Sequence, residues 1–111
     1  PLVAVLAESG VVRRLLLYLL EAHRFRVLLA RDVEGLLRLL KSRPKGVILQ
    51  GEKAVEAARK VRATPEGRLA SLYLVSETPP GLLLRPLRLL HLPKRLRSQE
   101  VLKALEPLRR G

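Results

Sequence analysis

Four polar side chains follow apolar runs of the sequence, at positions where buried strands would end. They are Glu8, Gln50, Ser76 and Lys94. A carboxylate can bind a metal ion, and together with a hydroxyl and an ammonium group it could bind a phosphoryl group. Covalent transfer of that group would need a carboxylate that is free to act as the nucleophile. Gln50 supplies a neutral amide instead, and the only aspartate, Asp32, lies elsewhere in the chain. The residue types therefore predict a polar crevice that is poor in acids.

Apolar runs alternate with amphipathic segments along the chain. We predict strands over residues 2–6, 26–30, 46–49, 69–75 and 89–92. We predict helices over residues 9–22, from the N-cap Asp32 to about 42, over 52–63 and from 98 onward, with a short, proline-interrupted helix at 82–87. Continuous apolar runs are typical of strands that are buried on both faces. The alternation therefore predicts an α/β fold, a flavodoxin-like doubly wound five-stranded parallel sheet.

The length and composition limit the class of protein. At 111 residues the chain has the size of one domain, so we predict a single domain over residues 1–111. Cysteine is absent, which excludes disulfides and thiolate metal sites. No apolar stretch near the N-terminus approaches the roughly 20 residues of a membrane-spanning helix, and no signal peptide pattern is visible. We therefore expect a cytoplasmic protein with no membrane contact.

The order of the runs and the residues that end them resemble the receiver domain of two-component response regulators. The resemblance extends over nearly the whole chain and is clearest over residues 11–49. In that family an acidic pair after the first strand binds magnesium, an aspartate ending the third strand accepts phosphate, and a hydroxyl and a lysine follow the fourth and fifth strands. On this chain the corresponding positions are Ala7, Glu8, Gln50, Ser76 and Lys94. The family's aromatic switch position corresponds to His91.

Two of these positions lack the acid that the family uses. Ala7 replaces one member of the acidic pair, and Gln50 stands at the phosphoacceptor position. An amide cannot form an acyl phosphate, and Glu8 alone is a poor ligand set for magnesium. The resemblance therefore implies a degenerate, pseudo-receiver pocket without metal or cofactor, and we expect no enzymatic activity. An active pocket that uses Glu8 and Glu52 is the least favoured alternative.

Other positions depart from the family in ways that leave alternatives open. Lys94 has no phosphoryl group to neutralise it, so it forms an ion pair with Glu8, bonds to Gln50 and Ser76, or points into water. His91 is expected to be a half-buried substitute for an aromatic ring. The resemblance also implies shortened third and fourth helical regions, the latter containing Pro86.

Basic side chains are dense in the last third of the chain. Lysine and arginine total 22 against 10 acidic residues, a net charge of +12. In the receiver family, partners or a second copy dock on the surface formed by the fourth helix, fifth strand and fifth helix. The resemblance thus implies that the docking candidates are Arg85, Arg88, Arg95, Arg97 and Lys103. Such a face fits an acidic protein, self-association or a nucleic acid backbone.

Taken together, the residues and the resemblance predict a phosphorylation-independent signalling or regulatory module that acts by protein docking. The alternative is a basic nucleic-acid-binding protein on the same scaffold. Arginine is scattered through every predicted helix, and only three aromatic residues are available as stacking platforms. Both features favour protein docking.

Overall fold

The computed structural model describes residues 1–110 and contains one parallel sheet. Its strands are β1 (Leu2–Ala7), β2 (Arg26–Leu29), β3 (Gly46–Gln50), β4 (Ser71–Ser76) and β5 (Leu89–Pro93). The strand order is β2-β1-β3-β4-β5, with every neighbouring pair parallel. The predicted flavodoxin-like fold is confirmed. From β1 the chain adds β2 on one side and then β3, β4 and β5 on the other, as in a doubly wound sheet.

Three α-helices and two 3₁₀ helices connect the strands, and a fourth α-helix follows β5. They are α1 (Gly10–Ala22), α2 (Val33–Leu39), a 3₁₀ turn (Leu40–Ser42), α3 (Ala54–Arg62), a 3₁₀ helix (Leu82–Leu87) and α4 (Ser98–Arg109). The two helical regions predicted to be short are α3, with nine residues, and the 3₁₀ helix before β5, with six. Pro86 lies inside that 3₁₀ helix, where it cannot donate the backbone hydrogen bond that a longer α-helix needs. No helix within residues 1–110 is both long enough and apolar enough to cross a membrane.

The two faces of the sheet carry separate apolar cores. Val3 and Val5 of β1 pack with side chains of α1 and α4, while Ala4 and Leu6 of the same strand pack with side chains of α2 and α3. Side chains alternate between faces along a strand, so a strand covered on both sides must be apolar at every position. This is why β1 reads as an unbroken apolar run.

Two predicted boundaries differ from the structure by two residues, each for a local reason, and the other predicted strand ends differ by at most one residue. The fourth strand was predicted from residue 69 but begins at Ser71. The guanidinium group of Arg62 binds carbonyl oxygens of the preceding segment, those of Gly67, Arg68 and Ala70, at 2.7–3.1 Å. The third helix was predicted from residue 52 but begins at Ala54, because Gly51 with φ +120° turns the chain first.

Candidate functional site

The carboxyl ends of β1, β3, β4 and β5 meet at one edge of the sheet. Ala7 is paired with Gln50 across β1 and β3, and Ser76 is paired with Pro93 across β4 and β5. The backbone N–H of Lys94 donates to the carbonyl oxygen of Ser76 at 3.1 Å. The register therefore brings all the predicted pocket positions to the same edge.

Gln50 is tied into the start of α1. Its side-chain Oε1 accepts a hydrogen bond from the backbone N–H of Ser9 at 2.9 Å. Ser9 is the N-cap of α1, and its hydroxyl accepts from the N–H of Val12 at 3.2 Å. The backbone carbonyl of Gln50 also accepts from the N–H of Glu8 at 3.1 Å. The amide oxygen at this position thus holds the β1–α1 turn against the end of β3.

Glu8 is exposed, and its carboxylate is bonded to the loop after β3. Its Oε2 accepts from the backbone N–H of Lys53 at 2.9 Å. Gly51 makes this approach feasible, because a Cβ atom there would collide with the carboxyl group of Glu8 and its positive φ disfavours other residues. The carboxylate therefore links the β1–α1 turn to the β3–α3 turn through a hydrogen bond.

A cavity of about 270 Å³ opens between these turns and the start of α2. It is lined by Leu6, Glu8, Arg31, Asp32, Val33, Gln50, Lys53 and Ala54. Asp32 caps α2 as predicted, with Oδ1 accepting from the N–H of Gly35 at 2.7 Å. Within residues 1–110, no three acidic or histidine side chains are grouped so as to hold a metal ion. Both acids of this cavity are thus engaged by backbone N–H groups.

Lys94 turns away from the crevice. Its Nζ lies 3.5 Å from Oε1 of Glu77, and both side chains are exposed. The expected ion pair with Glu8 is therefore wrong, and bonds from Lys94 to Gln50 or Ser76 side chains are not formed among the described residues. The ammonium group is exposed but pairs with Glu77, a partner that none of the three alternatives included. The Ser76 hydroxyl is bonded locally, because it donates to the backbone carbonyl oxygen of Thr78 at 2.6 Å.

His91 lies half-buried on β5, as predicted from its position. Its Nε2 is 2.9 Å from the carbonyl oxygen of Ser76, which can only accept, so this nitrogen carries the proton. The same carbonyl accepts the backbone N–H of Lys94. The ring thus fastens β5 to the end of β4.

The predicted docking candidates all follow Gly81. Arg85 and Arg88 precede β5, an edge strand, Arg95 and Arg97 follow it, and Lys103 lies on α4. The side chains of Arg85, Arg95, Arg97 and Lys103 are exposed. Arg88 is also exposed, but its Nη2 donates to the carbonyl oxygen of Arg68 at 2.7 Å, so it is partly committed to the fold.

Sequence reasoning missed that exposed leucines lie among these charges. Leu82, Leu83 and Leu90 are 82%, 93% and 48% exposed. We use the name β5-edge surface for the exposed side chains that flank β5 along the chain, which are Leu82, Leu83 and Arg85 before it, Leu90 on it, and Arg95 and Arg97 after it. The signal that could have revealed it is the triplet of leucines at 82–84, since a short 3₁₀ helix beside a sheet cannot bury all three.

Comparison with known proteins gives structural likeness alone. No protein-family model and no curated protein sequence matches this chain. The chemotaxis response regulator CheY4 of Vibrio cholerae aligns with TM-score 0.84 and 16% identity, over 96% of this chain and 97% of that one. A response regulator receiver protein from Pseudomonas putida aligns with TM-score 0.79 and 21% identity, over 96% of each chain.

A third similar structure is the receiver domain of a sensor histidine kinase from Pseudomonas aeruginosa PAO1, with a magnesium ion coordinated in its active-site cleft. It aligns with TM-score 0.75 and 16% identity, over 96% of this chain and 94% of that chain. The structural neighbours are CheY-like response regulator receiver domains, and this chain has their fold.

Proposed function

We propose that this protein is a phosphorylation-independent receiver-like module that works in signalling or regulation by docking on another protein. The observation that carries the proposal is the side chain of Gln50 and its hydrogen bond to the backbone of Ser9. Its amide replaces the carboxylate that acyl phosphate formation needs, and its oxygen is occupied by the N–H of Ser9. The sensor histidine kinase receiver coordinates magnesium in its active-site cleft, whereas the crevice of this protein offers Ala7 and Glu8 at the end of β1.

The pocket half of the proposal is tested with a small phosphodonor. The protein is incubated with acetyl phosphate and magnesium, and its intact mass is measured beside that of a receiver domain with a phosphoacceptor aspartate. We expect the mass of the aspartate-containing receiver to rise by one phosphoryl group while that of this protein stays unchanged. A phosphoryl adduct or a beryllofluoride complex at the crevice would overturn the claim.

The docking half of the proposal rests on the β5-edge surface. Exposed leucines beside arginines combine apolar area with charge that attracts an acidic partner, and interfaces are enriched in arginine. Such a surface fits an acidic protein with an apolar patch at its centre. The net charge of +12 also increases the rate of encounter with a negatively charged partner.

Capture from native lysate tests the docking surface. The Arg95→Glu/Arg97→Glu variant should lose the partner that wild type retains, because both positions become repulsive. Arg59→Glu is the matched control, since Arg59 is also exposed but lies on α3, away from β5. Equal capture by wild type and both variants would reject this surface as the docking site.

A second candidate function is nucleic-acid binding, favoured by the net charge alone. Stacking on bases is not available at the basic edge, because Phe25 and Tyr73 are buried and Tyr18 lies on α1. Titration with duplex DNA and single-stranded RNA at several salt concentrations distinguishes the two functions. A steep loss of affinity with salt supports nucleic-acid binding, and an absent response removes it.

A further inference from the structure

An apolar stripe on α1 is left uncovered by the fold. Val11, Leu15 and Tyr18 are 74%, 37% and 70% exposed, and Ala22 is exposed as well. The residues that face the sheet belong to a different stripe, formed by Val12, Leu16, Leu19 and Leu20. The helix therefore has two apolar faces, of which the domain uses one.

The uncovered stripe has the spacing of a coiled-coil seam. The steps from Val11 to Leu15, Tyr18 and Ala22 are four, three and four residues, which is the alternation of a heptad repeat. At 1.5 Å per residue the seam is about 16 Å long. A narrow seam of this kind fits one further helix better than it fits an extended peptide or a lipid surface.

One flank of the seam carries a positive and a negative charge, so it can pair with the same flank of a second copy. Arg14 and Glu21 are both exposed, lie seven residues apart on the same flank, and form no ion pair within residues 1–110. In an antiparallel pair of identical helices, the same flank of each helix faces its counterpart. Arg14 of one copy then comes within about one helical turn, ~5 Å, of Glu21 of the other, and this happens twice.

We propose that α1 is a homodimerisation helix, which pairs in antiparallel orientation with α1 of a second copy of this chain. A parallel pair would set the charged flank against buried Val12 and Leu19, so it is disfavoured. The antiparallel pair also sets the N-terminus of each helix beside the C-terminus of the other, which suits their dipoles. This surface lies on α1 and differs from the β5-edge surface, so either proposal can fail alone.

A second copy suits the seam better than a foreign partner does. Docking of two copies through the β5-edge surface would bring like charges together, whereas the α1 flank carries one positive and one negative charge. An interface based on one 13-residue helix is small, at or below about 1,200 Å² of buried surface, so the dimer is weak and reversible. Dimerisation is then governed by the protein concentration.

Sedimentation equilibrium over about a hundredfold range of protein concentration tests the proposal. Wild type should approach twice the chain mass at the upper end, while Tyr18→Glu should stay at the chain mass. Leu83→Glu is the matched control, because it adds the same charge at another exposed apolar position and should dimerise like wild type. A wild type that is monomeric up to ~1 mM, the range of very weak binding, would overturn the proposal. So would dimerisation that Leu83→Glu removes and Tyr18→Glu does not.

A charge exchange tests the orientation. Arg14→Glu and Glu21→Arg should each raise the dimer dissociation constant about five- to tenfold, since each turns two attractions into two repulsions. The double variant Arg14→Glu/Glu21→Arg should return to within about twofold of wild type, as the pairs are restored in reverse. Circular dichroism confirms that every variant is folded. Additive weakening in the double variant would reject the antiparallel pair.

Discussion

Gln50 decides the chemistry and the local structure of the crevice. As a neutral amide it cannot carry a phosphoryl group, and as a hydrogen-bond acceptor it satisfies the N–H of Ser9 at 2.9 Å. The side chain of Gln50 is therefore part of the scaffold. The same holds for Glu8, whose carboxylate accepts from the N–H of Lys53.

Replacing Gln50 by alanine should lower the free energy of unfolding by about 1–2 kcal/mol, because the part-buried N–H of Ser9 loses its acceptor. Urea denaturation measures the change. The other glutamine, Gln99, is exposed on α4, so Gln99→Ala serves as the control and should change stability by less than about 0.5 kcal/mol. Equal effects of the two substitutions would show that the Gln50 bond contributes nothing.

Tyr73 links β4 to α4 from within the core. Its side chain is buried, and its hydroxyl donates to the carbonyl oxygen of Ala104 at 2.8 Å. Burial raises the pKa of Tyr73 above its ordinary value of 10.0. The folded state therefore keeps the phenolic proton at pH values where the unfolded chain has lost it.

Stability should accordingly be unaffected by this group below pH 10.0 and should fall as the pH rises from there through the folded-state pKa. Tyr73→Phe should cost about 1 kcal/mol at neutral pH and show a shallower alkaline decline. Tyr18→Phe is the control, because Tyr18 is exposed and its removal should leave the decline as in wild type. Urea unfolding at neutral and alkaline pH measures both effects, and parallel curves for the three proteins would contradict the assignment.

At the scale of elements, one arginine side chain joins the end of α3 to its neighbours. The Arg62 guanidinium donates to the carbonyl oxygens of Gly67, Arg68, Ala70, Leu87 and Arg88 at 2.7–3.4 Å. Burial lowers the pKa of Arg62, and the nearby charge of Arg88 lowers it further. These bonds satisfy carbonyls that precede β4 and end the 3₁₀ helix, where the backbone has no ladder partner.

Arg62→Lys should therefore lower the free energy of unfolding by about 2 kcal/mol, because an ammonium group cannot span carbonyls on two separate segments. Arg59→Lys is the matched control, since Arg59 lies on the exposed side of the same helix. Hydrogen exchange adds a local measurement. Faster exchange of amides around residues 67–71 and 87–89 in Arg62→Lys, with the sheet centre unchanged, is the expected pattern. Unchanged exchange in those segments would remove this role from Arg62.

For the molecule as a whole, the dominant electrostatic fact is the excess of positive charge. The net charge is +12, and the described residues contain two ion pairs, Lys60 with Glu56 and Lys94 with Glu77, both at the surface. Exposed pairs contribute little, whereas the summed repulsion disfavours the compact state. The fold is held by its two apolar cores against this repulsion.

Added sodium chloride should therefore stabilise the protein by screening the repulsion. The midpoint of urea denaturation should rise between about 0.02 and 0.5 M salt, over which the screening length falls well below the size of the domain. Arg95→Glu/Arg97→Glu carries less net charge and should show a smaller rise. A midpoint that falls with salt would mean that attractive pairs outweigh the repulsion.

The layout of the fold and the residue type at position 50 could be read from the sequence. The patterns that predict the fold are local, because each one fixes the backbone conformation of only a few residues. They include the strand-length apolar runs, the helical spacing of Leu16, Leu19 and Leu20, and the N-cap at Asp32. The amide side chain of Gln50 is likewise a property of one position.

The groups that the polar side chains contact follow from tertiary packing. Gln50 bonds to Ser9, 41 positions away, and Lys94 pairs with Glu77 instead of Glu8. Tertiary packing also decided that Leu83 and Tyr18 remain uncovered while other apolar side chains on the same helices are buried. Partners distant in sequence depend on strand register and helix packing, and those are set by the summed burial of the whole chain rather than by any single segment.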